Sequence, residues 1–183
     1  MNKHDGNVFF LGDFDDSAED EITVPLIREI EEQSKLRDGR IDLWINSFGG
    51  YAHVVYALTE LVEMAKREDI VVRTIVPNIA FSAGSMLAIA GTPGERYIAR
   101  NGTHLIHYGT TIGTAESTPQ QIDRWSAFKK RDFENTLKHY RRYANEKCPL
   151  DAEMLDDGWS IPANKCIVYG LADKYMDKLD LNV

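Results

Sequence analysis

Short runs rich in β-branched residues alternate along this chain with segments of helical periodicity. That order predicts an α/β fold built on a mostly parallel sheet. Length and composition point the same way. The chain has 183 residues, 43% of them hydrophobic and 27% charged. Such a chain suits one compact domain over residues 1–183, burying about two-thirds of its unfolded surface. No internal repeat and no low-complexity linker divides it.

Val8-Phe9-Phe10-Leu11 reads as a short buried strand. Asp13 to Asp20 is an acidic loop or helix start. Ile22, Leu26, Ile27 and Ile30 then lie at helical spacing, with Pro25 tolerable near the first turn. Ile41 to Asn46 is a strand with period-two alternation. Gly49-Gly50 opens a helix from about Ala52 to Arg67, with Val54, Val55, Leu58, Leu61, Val62 and Ala65 as its apolar stripe. Ile70 to Val76 is a β-branched strand, and Ser82 to Ala90 a helix of small and apolar residues. Arg96 to Ala99 and Thr103 to Tyr108 are further strands. Thr118 to about Glu146 is the longest helix, rich in charge and carrying Trp125, Phe128, Phe133, Tyr140 and Tyr143. A last helix covers about Asn164 to Tyr169.

Several function classes are excluded. With 21 Lys and Arg against 29 Asp and Glu, the net charge is −8, which disfavours non-specific nucleic-acid binding. The two cysteines, Cys148 and Cys166, make no disulfide scaffold, and no CxxC or HExxH offers a metal site. No cofactor is indicated. The longest apolar stretch, Thr74 to Gly91, is broken by Pro77, Asn78, Ser82 and Ser85 and makes a poor membrane span. A soluble protein of the cytoplasm is expected.

Three segments could carry chemistry. Asn46-Ser47-Phe48-Gly49-Gly50 sits where a strand gives way to a helix. Two glycines there let the backbone approach a ligand and present N–H donors to a developing oxyanion, or simply make the turn. Phe81-Ser82-Ala83-Gly84-Ser85-Met86 likewise precedes a helix. Ser85, flanked by small residues, is a nucleophile if a base lies near; otherwise Ser82 or Ser85 merely caps the helix. His107 shares a strand face with Thr103 and Leu105, and is either a general base or a histidine with satisfied nitrogens. Asp156, Asp157 and Asp173 are carboxylates able to orient it. The chain lacks GxSxG, so an α/β-hydrolase is not indicated.

Taken together, these segments resemble the ClpP family of self-compartmentalising serine peptidases, from about Val8 to Tyr175. Val8-Phe9-Phe10-Leu11-Gly12 looks like the family's first strand. Ile45 to Gly50 resembles its INSPGG segment, with Phe48 in place of proline. Phe81 to Met86 resembles its small-small-Ser-Met nucleophile turn. Asn101-Gly102-Thr103-His104-Leu105-Ile106-His107 resembles its Asn…Met-Ile-His segment, and Tyr169-Gly170-Leu171-Ala172-Asp173 its YGLxD turn.

The resemblance implies the ClpP/crotonase spiral of ββα units, with residues 109–146 as a protruding strand–helix handle between stacked rings. It implies Ser85 as nucleophile, His107 as general base, and N–H groups of Gly49, Gly50 and Met86 as the oxyanion hole. Counting back from Gly170 at the family's spacing lands on Gly158, so Asp157, one residue away, is the expected third member, with Asp156 next. His53, just after the double glycine, either lines the site or lies on the surface at the helix start. Five residues separate Ser85 from Gly91, a shortening that resembles compact, often phage-encoded, members. The implied activity is endopeptidase cleavage of unfolded polypeptides within stacked heptameric rings, a tetradecamer served by an AAA+ unfoldase. The alternatives are a catalytically inactive ring subunit that regulates a host complex, and a crotonase-type acyl-CoA enzyme.

Overall fold

The structure, a computed structural model, describes residues 2–109 and 118–180. Its strands are β1 (Lys3–Asp5), β2 (Val8–Leu11), β3 (Arg40–Ile45), β4 (Val71–Val76), β5 (Ile79–Phe81), β6 (Arg96–Ile98), β7 (Thr103–Ile106), β8 (Trp159–Pro162) and β9 (Lys174–Tyr175). The α-helices are α1 (Val24–Gln33), α2 (Ala52–Arg67), α3 (Ala83–Ala88), α4 (Pro119–Tyr143), α5 (Ala152–Asp157) and α6 (Ala163–Tyr169). The fold class is the α/β architecture expected.

Six strands form one sheet in the order β1-β2-β3-β4-β6-β9, parallel throughout except where β1 pairs antiparallel with β2. Phe9, Leu43, Ile45 and Ile75 from this sheet are buried with Leu26 and Ile30 of α1 and Val55, Leu58 and Val62 of α2. The alternation expected of β3 does not leave a wet face. Asp42 is buried too, because its register neighbour on β4 is Arg73, and the two form an ion pair. A buried charge is tolerable when its partner is adjacent and hydrogen-bonded.

A second sheet of three strands, in the order β5-β7-β8, positions the candidate site. β5 and β7 are parallel, and β8 runs antiparallel to β7. Their directions bring three junctions to one end of this sheet. β5 runs into Ser82, β7 runs into His107, and β8 starts just after Gly158. Ser160 is the register partner of Leu105 and Trp159 that of Ile106, which places Gly158 opposite His107.

The sequence reading did not anticipate β1, β5, β8, β9 or α5. Each is short, and β8 ends on Pro162, a residue that argues against a strand. The long helix expected over 118–146 is present as α4. The handle strand expected before it falls mostly on residues 110–117, outside the described residues. Asp173 is accounted for structurally. It accepts hydrogen bonds from Arg96 Nε (2.9 Å) and Nη2 (2.6 Å) and from the N–H of Gly94 (2.7 Å), tying the C-terminal turn to β6. Burial pushes the Asp173 carboxyl up, but Arg96 more than offsets this and holds it below the usual range.

Candidate active site

Ser82 occupies the junction between β5 and α3. Its N–H donates to Leu105 O of β7 (2.8 Å), the last rung before the chain turns into the helix. The turn forces Ser82 to φ +52°, ψ −121°. A side chain other than glycine in that region costs about 1–3 kcal/mol. Such a strained strand–turn–helix serine has its hydroxyl lifted from the sheet, the arrangement used to present nucleophiles. Ser82 is partly exposed and lines a cavity of about 580 Å³ together with Gly50, His53, Ala83 and His107.

Ser85 is placed differently. It lies on the first turn of α3, is 0% exposed, and shares a hydrogen bond of 2.9 Å with His104 Nδ1. His104 is buried as well, and it sits on the opposite face of β7 from His107. Burial, reinforced by the nearby Arg96 charge, pushes the His104 imidazole down to about 4, so it is neutral at physiological pH. The structure therefore does not bring Ser85 and His107 together. Ser82 and His107, not Ser85, line one cavity, with no direct hydrogen bond between them among the described residues. Ser85 is enclosed by its own helix and His104.

The N–H groups expected as oxyanion donors are differently engaged. The N–H of Met86 already donates to Ser82 O (3.1 Å), and that of Gly49 to Ser47 Oγ (2.9 Å). Neither is available to a ligand. Ala83, the first residue of α3, has an N–H with no intrahelical partner. The N–H of Gly50 likewise finds no acceptor among the described residues. Gly50 and Ala83 both line the cavity.

The double glycine is needed because the turn is pressed on both sides. A Cβ on Gly49 (φ +115°) would lie 2.7 Å from Ser82 Cβ, and one on Gly50 (φ +136°) would collide with the Phe14 backbone. Asp13 Oδ1 pins the turn, accepting from the N–H of Phe48 (2.7 Å) and from Ser47 Oγ (3.2 Å). Phe48, where proline was the resemblance's expectation, is 72% exposed and packs edge-on against Phe81 at 5.9 Å.

Asp157 is the last residue of α5 and precedes Gly158, whose Cα would carry a Cβ only 3.5 Å from His107 Cβ. The chain is held there by the N–H of Tyr108, which donates to Leu155 O (2.7 Å). Asp156 and Asp157 are exposed, and among the described residues no hydrogen bond joins either to His107. α5 depends on its N-cap, where Asp151 Oδ1 accepts from the N–H of Met154 (2.8 Å). Asp151→Ala is expected to destabilise the protein by about 1 kcal/mol, read as a lower urea midpoint.

His53 lines the cavity at the start of α2, its ring stacked on Tyr51 at 5.4 Å. The far wall comes from α4, with Phe128, Arg131 and Thr136. Thr136 Oγ1 lies 3.0 Å from Tyr56 Oη, joining α4 to α2. No helix among the described residues is long and apolar enough to cross a membrane.

Comparison with known proteins finds relatives over most of the chain. A family model described as Clp protease matches residues 3–178. The ATP-dependent Clp protease proteolytic subunit of Streptococcus pneumoniae strain 70585 is 28% identical over 178 residues, covering 96% of this chain and 86% of that protein. The subunit of the same name from strain P1031 shows the same identity and coverage, 28% over 178 residues.

Proposed function

The chain belongs to the Clp protease family, and from that premise we propose that it is a serine endopeptidase with Ser82 as nucleophile and His107 as general base. The observation that carries this reading is the cavity shared by Ser82 and His107, with the strained Ser82 backbone at its floor. Ser82 Oγ attacks the peptide carbonyl, and His107 takes the hydroxyl proton and returns it to the leaving amine. The N–H groups of Gly50 and Ala83 hold the oxyanion of the tetrahedral intermediate. Water, activated by His107, then releases the acyl group. Asp157 orients His107 as the side chains close around substrate, since catalytic hydrogen bonds are often long without substrate. With Ser82 in this role, eight residues separate the nucleophile from Gly91, and the shortening that suggested a phage-encoded member disappears.

Substrates on this reading are unfolded polypeptides, and copies of the chain assemble into stacked heptameric rings in the cytoplasm, fed by an AAA+ unfoldase. The N-terminal half of α4 supports the ring contact of the handle. Trp125 and Phe128 are 45% and 42% exposed and pack edge-to-face at 5.8 Å, an unusual pair to leave in water. The expected outcome is hydrolysis of an unstructured fluorescent polypeptide, abolished by a fluorophosphonate.

A second reading is an inactive ring subunit that regulates a Clp complex. It is favoured by the lack of a hydrogen bond from His107 to Ser82 or to a carboxylate among the described residues. A folded oligomer that neither hydrolyses the polypeptide nor takes the phosphonate would establish that reading instead.

A further inference from the structure

A buried tyrosine lies directly beneath the candidate nucleophile. Tyr140 of α4 is 0% exposed, and its Oη–H donates to Ser82 O at 3.3 Å. The same carbonyl accepts the N–H of Met86 at 3.1 Å. The neighbouring residue on α4 grips the next turn, since His139 Nε2 donates to Met86 O at 2.9 Å. α4 is thus bonded to α3 at both Ser82 and Met86.

Ser82 C=O and Ala83 N–H belong to one peptide unit. No peptide bond among the described residues is cis, so the two groups point in opposite directions within a rigid plane. A plane anchored through its carbonyl to Tyr140 on the core side directs its N–H to the cavity side. Resting on the proposed function, we propose that Tyr140 is a positioning residue, whose hydroxyl fixes the Ser82–Ala83 peptide so that the Ala83 N–H faces the oxyanion.

The surroundings suit that role. Burial pushes the Tyr140 phenol up, far above neutrality, so it keeps its proton and remains a donor; the adjacent Ser85 hydroxyl opposes the shift only in part. A phenol in such a core needs a hydrogen-bond partner, and the Ser82 carbonyl supplies it. The strain at Ser82 makes the anchor useful, because a residue at φ +52° has a nearby relaxed backbone to fall into.

An oxyanion donor acts on the transition state and hardly on the bound substrate, so its misalignment lowers kcat and leaves KM alone. Complete removal of such a donor costs about 10²–10³-fold. Tyr140→Phe keeps the ring and removes the anchor. It is expected to lower kcat for a fluorogenic peptide about 10-fold, with KM within about twofold. A peptidyl aldehyde, whose adduct places an oxyanion in the hole, should lose affinity in step with kcat, while the cleaved product peptide binds as before. Replacing Tyr140 with 3-fluorotyrosine, which keeps the hydroxyl, should restore kcat.

Unchanged kcat and aldehyde affinity in a folded Tyr140→Phe protein would overturn the inference and leave the proposed function standing. So would a variant that fails to fold, which would make Tyr140 a stability residue. A wild-type protein with no hydrolysis would remove both.

Discussion

Ser82→Ala is expected to lower peptide hydrolysis by about 10³-fold or more while leaving the urea midpoint almost unchanged. Ser85→Ala is expected to do the reverse. Ser82 lines a cavity, and its Oγ makes no hydrogen bond among the described residues. Ser85 Oγ is sealed within α3 and shares its hydrogen bond with His104. Its removal leaves a buried imidazole nitrogen unpaired, a loss of about 1–3 kcal/mol, and leaves the nucleophile in place. Activity assays and urea titrations of both variants check this crossed pattern. Loss of activity in Ser85→Ala at full stability, with Ser82→Ala active, would restore the assignment expected from sequence.

The buried His104 imidazole should also set the acid limit of the fold. His104 titrates near pH 4 in the folded protein. An unfolded histidine titrates near 6.5. The folded value is depressed, so the unfolded chain binds more protons between the two. Stability is then complete above about pH 6.5 and is lost as pH falls towards 4, by about 3 kcal/mol in all. His139 adds to the same trend, since burial lowers its imidazole too, against the opposing bond to Met86 O. Urea unfolding at pH 7.5 and 4.5 should show the drop. Ser85→Ala/His104→Val, which removes both polar partners at once, should flatten most of it. An equally steep drop in the double variant would assign the acid limit to other groups.

Much of the fold was legible because its strands are apolar and its main helices periodic. β2, β3 and β4 were found from Val8–Leu11, Ile41–Asn46 and Ile70–Val76, and α2 from its apolar stripe. What escaped was the small sheet that builds the site. β5 has three residues next to Pro77 and Asn78, and β8 ends on a proline, so their strand character comes from pairing with β7 and not from composition.

The site was legible in part for a related reason. His107 and the double glycine sit where their segments suggested. The serine is harder to read, because Phe81-Ser82-Ala83-Gly84-Ser85-Met86 offers two serines among small residues. The letters Ser-Met point to Ser85, whereas the distance to Gly91 and the small pair Ala83-Gly84 following Ser82 point to Ser82. Backbone geometry is what favours Ser82. Ser82 carries the positive φ of the turn, and Ser85 lies one helical turn too far, inside the core. The oxyanion donors proposed here follow the serine for the same reason, with Ala83 in place of Met86.

The most direct test of this account is the residue that a fluorophosphonate modifies. Wild-type protein, treated with the reagent and digested, should carry the adduct on Ser82 in the peptide spanning the β5–α3 junction. An adduct on Ser85, or on no residue of that peptide, would contradict the account.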